Sequence, residues 1–206
     1  MSHIVIPFPG SHPRTRWSFP ERRRSSAVIE ERTGPLELLR GCAVLLLLDE
    51  ENIRFGARDL GRKASFRRLR EQVQAHAASS VCHAFLTTNE DDNARVKYLA
   101  ARGYQVHVQR ADQHPDSHAG RPTNADPFML FHSGVIVSRS TATAVIIATG
   151  DGGLALSLAQ SIRSLPKRRA ILTLSLPGST AQRLDARRTA LVDHNLEIGS
   201  DCLRPL

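Results

Sequence analysis

Two uninterrupted apolar runs in this chain each end in an aspartate. Ala43-Val44-Leu45-Leu46-Leu47-Leu48 leads into Asp49, and Ala144-Val145-Ile146-Ile147-Ala148-Thr149-Gly150 leads into Asp151. Without polar alternation, such runs suit strands buried on both faces of a parallel sheet, so both acids are expected at the carboxyl edge of that sheet. Open α/β sheets bind their ligands at that edge. A third acid, Asp126, lies in Asn124-Ala125-Asp126-Pro127, a loop-to-helix junction able to reach the same place. Three converging carboxylates repel one another unless they share a cation, which points to a divalent metal site. A competing role is structural, because an aspartate just after a strand also caps the helix that follows, above all Asp151.

The flanking sequence supports an α/β reading. After Pro35 the chain alternates predicted strands, near 42–48, 81–87, 104–109, 144–149 and 169–175, with helical segments near 65–78, 90–102, 127–139 and 153–164. A last helix near 180–190 and a short strand near 195–199 close the series. Phe66, Leu69 and Val73 recur at helical spacing, and a loop with Gly56 and Gly61 is expected after the first strand. This rhythm predicts a three-layer α/β/α domain with a mostly parallel central sheet of about five strands. Residues 1–38 are rich in Pro, Ser, Gly and Arg and read as a flexible arm, leaving 39–206 as the folded domain.

Charge narrows the partners. The 206 residues carry 28 Lys plus Arg against 20 Asp plus Glu, a formal net charge of +8. The only lysines are Lys63, Lys97 and Lys167, so the excess is arginine, whose planar fork of donors fits phosphate. Codon bias toward arginine is the competing explanation. Cys42, Cys82 and Cys202 are widely spaced and read as reduced packing residues. The first residues lack the pattern of a signal peptide and no apolar run approaches the length of a membrane span, so a cytoplasmic protein without membrane attachment is expected. A homo-oligomer is compatible with all of this.

Leu48-Asp49-Glu50-Glu51-Asn52, Asn124-Ala125-Asp126 at a helix start and Thr149-Gly150-Asp151-Gly152-Gly153 after a strand together resemble the NYN domains, a branch of the PIN-like nucleases. The resemblance covers roughly 40–200. It implies Mg²⁺- or Mn²⁺-dependent hydrolysis of RNA, with single-stranded RNA as partner. On that reading Asp49, Asp126 and Asp151 are both catalytic residues and metal ligands, and Asn52 orients Asp49 or the substrate phosphate. Arg54, Arg67, Arg68, Arg70 and the N-terminal arm then supply phosphate contacts, and His132 is placed to approach a bound phosphate.

Two positions depart from the family pattern. His132 and Gly153 stand where further acids are common, and Glu50, Glu51, Asp91 or Asp92 are candidates to make up the missing ligand. The departures favour a second reading, a PIN-like domain with a depleted acidic cluster that binds RNA or a protein without cutting. A phosphatase of the haloacid dehalogenase type would need Asp-x-Asp after the first strand, where Glu51 stands instead. A zinc set of His107, His114 and His118 lacks a thiolate and paired spacing. The glycines around Asp151 could cradle a phosphate, but the Lys-Ser/Thr of a P-loop is missing.

Overall fold

A computed structural model describes residues 35–88, 94–110, 126–177 and 190–206. The expected helix near 180–190, residues 1–34 of the arm, Asp91, Asp92, His114 and His118 lie outside the described residues. Among those residues no helix is long and apolar enough to cross a membrane.

The central sheet contains six strands: β1 (Ala43–Asp49), β3 (Ser79–Thr88), β4 (Gln105–Arg110), β5 (Ala144–Ala148), β6 (Ala170–Ser175) and β7 (His194–Glu197). Their spatial order is β4-β3-β1-β5-β6-β7 and every pairing is parallel. The sheet is therefore doubly wound. Chain order runs outward from β1 to β4 on one side, then returns to β5 on the other side of β1, so the winding reverses between β1 and β5. A crevice opens at such a reversal, outside the carboxyl ends of the strands.

Helices cover both faces. Helix α1 (Glu50–Asp59), α2 (Phe66–His76), α3 (Ala94–Ala100) and a 3₁₀ turn at Pro35–Leu39 form one layer. Helices α4 (Asp126–Arg139) and α5 (Gly152–Arg163) form the other. Strand alternation divides β1 between them: Leu46 and Leu48 join the first core, Leu45 and Leu47 the second. None of these four leucines is more than 2 % exposed, and burying each is worth roughly 1.5–3 kcal/mol before the entropy of ordering is counted. Leu36 and Leu39 are buried in the first core, so the packed domain reaches back to the 3₁₀ turn, ahead of the expected boundary at residue 39.

The segment after β1 differs from expectation. It is helix α1, and Gly56 is not a breaker within it: a Cβ there would lie 2.7 Å from Leu176 Cδ1, so the glycine permits close packing. The turn that ends this region belongs to Gly61, at φ +67°. A two-stranded antiparallel ribbon, β2 (Arg62–Ala64) with β8 (Leu203–Pro205), ties the chain's last residues to the α1–α2 connection. All three cysteines are free thiols.

Candidate functional site

Asp49 ends β1 beside the winding reversal and is 9 % exposed. Its Oδ1 accepts a hydrogen bond from the Asn52 backbone N–H at 3.1 Å, capping α1, and its Oδ2 accepts from the Thr149 hydroxyl at 3.0 Å. Thr149, fully buried, stands just past the end of β5. The same hydroxyl oxygen accepts from the Asp151 N–H at 3.1 Å. Asn52 Oδ1 accepts from the Gly150 N–H at 2.7 Å and so latches the start of α1 to the loop after β5. Both walls of the crevice are thus joined through the side chains that orient Asp49.

Burial pushes the Asp49 carboxyl up to about 6. The bonds from Asn52 and Thr149 pull in the opposite direction, while the nearby charges of Asp126 and Glu51 push further upward. An acid held this way is ionised at neutral pH only against resistance from its surroundings, which a bound cation would relieve. Asp126 opens α4, where the positive end of the helix dipole favours a carboxylate.

Asp151 has the competing role recognised in the sequence. Its Oδ1 caps α5 by accepting from the N–H groups of Gly153 at 2.6 Å and Leu154 at 2.9 Å. Those N–H groups are consequently engaged by the cap.

The two glutamates after Asp49 are committed elsewhere. Glu50, 2 % exposed, accepts from Arg54 Nε at 3.0 Å and Arg95 Nη1 at 3.1 Å; burial pushes its carboxyl up and the two guanidinium groups pull it back. Glu51 accepts from Arg95 Nη1 at 3.2 Å and from the Thr87 N–H at 3.3 Å. Arg95 also donates to the Thr87 carbonyl at 2.9 Å, clipping α3 and β3 to α1. Neither glutamate is therefore placed as a spare metal ligand, and no sequence signal singled out Arg95.

The expected phosphate-binding arginines are likewise engaged. Arg54 pairs with Glu50 and lies 4.1 Å over the Phe55 ring. On α2, in the layer opposite α4 and α5, Arg67 pairs with Glu71 at 3.4 Å, Arg68 donates to the Asp201 carbonyl at 2.7 Å, and Arg70 packs against Gly103. His132 joins a ring cluster with Phe128, at 4.3 Å between centroids, and His107, at 6.0 Å. His107 in turn shares one hydrogen bond with His83 at 2.9 Å.

Among the described residues no three His, Cys, Asp or Glu side chains are grouped closely enough to hold a metal ion by themselves. The pair Asp49 and Asp126 still suits Mg²⁺, which commonly takes one or two carboxylates and completes its shell with water and substrate phosphate. Asp151 Oδ2, which takes no part in the cap, is the third candidate oxygen.

No protein-family model and no curated protein matches the chain. Among solved structures, a protein of unknown function from Vibrio parahaemolyticus superposes with a TM-score of 0.63 at 19 % identity, over 80 % of this chain and 97 % of that one. The likeness is one of fold.

Proposed function

We propose that this chain is a divalent-cation-dependent ribonuclease whose centre is Asp49 with Asp126. The observation that carries the reading is Asp49 itself: a buried carboxylate at the winding reversal, fixed through both oxygens and pushed upward by the charge of a second acid, Asp126. In a purely structural site, Asn or Ser would cap α1 with less electrostatic cost. Mg²⁺ or Mn²⁺ held between these acids would activate water and neutralise charge growing on the scissile phosphate.

The remaining residues act by positioning. Thr149 holds Asp49 Oδ2 through its hydroxyl, and Asn52 ties the start of α1 to the loop after β5. Asp151 fixes the first turn of α5 beside them. The cationic excess of the whole chain draws a polyanion toward the domain, a steering effect that weakens with salt.

A second reading, RNA binding without cleavage, draws on the commitment of Asp151 to its cap and on Gly153 and His132 standing in place of further acids. Purified protein incubated with labelled single-stranded RNA decides between them. Cleavage with Mg²⁺ or Mn²⁺ that stops with chelator supports the nuclease; intact RNA that remains bound under both conditions supports the binder.

A further inference from the structure

We infer that the flank of α4 beside the edge strand β4, formed by Phe128, Phe131 and His132, is a stacking platform for an unpaired nucleobase of single-stranded RNA. This deepens the proposed function by locating where a nucleotide next to the reacting phosphate would rest.

The rings form a continuous ladder from the interior to the solvent. His83 is 5 % exposed and stacks on His107 at 5.2 Å between centroids, with 26° between planes. Phe85 supports His107 from below the helix at 4.8 Å and 16°. His107 meets His132 at 6.0 Å, and His132 meets Phe128 at 4.3 Å and Phe131 at 5.5 Å. Phe131 is 69 % exposed. The outermost ring, Phe131, meets His132 edge-on, with 87° between planes, and is largely open to solvent.

Three features favour a base over an apolar protein segment. The surface consists of flat rings, with which a heterocycle can stack at little cost in side-chain freedom. Burial lowers the affinity of His83 and His107 for protons, so near neutral pH these supporting rings are uncharged and do not require hydration of their own. The chain is also net cationic, which matches the phosphates that accompany a base. Phe131 follows Asp126 by five residues on α4, roughly 8 Å along the axis and about 140° around it.

The test is binding of 5′-labelled oligouridine, measured by fluorescence anisotropy in chelator so that no cleavage intervenes. Base-on-aromatic stacking is worth about 1–3 kcal/mol, which converts to roughly a 5- to 150-fold loss of affinity for Phe131→Ala. Since Phe131 is exposed, its truncation should leave the melting temperature unchanged. Phe131→Trp should restore affinity, and in a Trp17→Phe background its fluorescence should be quenched by oligouridine but not by an abasic strand of equal length. Wild-type protein should bind the abasic strand no better than Phe131→Ala binds oligouridine. Equal affinity of wild type and Phe131→Ala for oligouridine, or of wild type for the two strands, overturns the inference. Cleavage persisting in that case leaves the nuclease reading intact; a stacking effect without any metal-dependent cleavage overturns the nuclease reading alone.

Discussion

Replacing Asp49 with Asn should make the cation-free protein more stable while removing its cation-dependent activity. Asparagine resembles the protonated acid in shape, so the variant retains the neutral form at every pH. Asp49 titrates at about 6 in the fold against 3.8 when unperturbed. A raised carboxyl pKa means that the folded state holds its proton more tightly than the unfolded chain. Its unfavourable contribution is absent below pH 3.8, grows between 3.8 and about 6, and is complete above that. At 1.36 kcal/mol per pH unit the full difference is about 3 kcal/mol at pH 7.5 and roughly half that at pH 5. For a domain of this size it corresponds to a rise in Tm of roughly 6–12 °C at pH 7.5 in chelator. Paired thermal melts of wild type and Asp49→Asn from pH 5 to 8 would measure it. A variant equally or less stable than wild type across that range would show instead that Asp49 is a structural cap.

Asp151 separates its two roles by substitution. Asp151→Asn keeps a capping oxygen for Gly153 and Leu154 and should retain stability, whereas Asp151→Ala should lose about 0.5–2 kcal/mol in urea unfolding; cleavage reduced by both variants identifies Asp151 as part of the reaction site, and cleavage reduced only by Ala confines it to the cap. The His83–His107 pair should make the fold acid-sensitive, because burial lowers His83 to about 4 and favours the neutral ring. Stability from this pair is present above pH 6.5 and is lost as pH falls toward 4; His83→Phe should flatten that part of the melting profile, and an unchanged profile would contradict the assignment.

The parts of the fold set by long apolar runs were readable directly. Leu45 to Leu48 and Val145 to Ile147 are buried on alternate faces of a parallel sheet, and Asp49 and Asp151 emerge at its carboxyl edge as expected. Helix α2 follows the Phe66, Leu69 and Val73 spacing. Helix α1 was hidden by Gly56, whose need is a close approach to Leu176 made only in the tertiary structure. The β2–β8 ribbon joins residues about 140 positions apart through strands of three residues each, too short to show a period. At the site, the motif brought out the aspartates, but not that Arg95 would occupy both Glu50 and Glu51 across a distance of more than 40 residues. Nor does any local pattern reveal that His83, His107 and His132, from two strands and a helix, meet in one ring ladder.

Calorimetric titration of Mn²⁺ into the full chain at pH 7.5 shows whether Asp49 and Asp126 share a divalent cation. Wild type should bind saturably, and binding should be abolished in Asp49→Asn and in Asp126→Asn, with both variants folded by circular dichroism. Absence of binding by wild type, or equal binding by all three proteins, would contradict a shared cation.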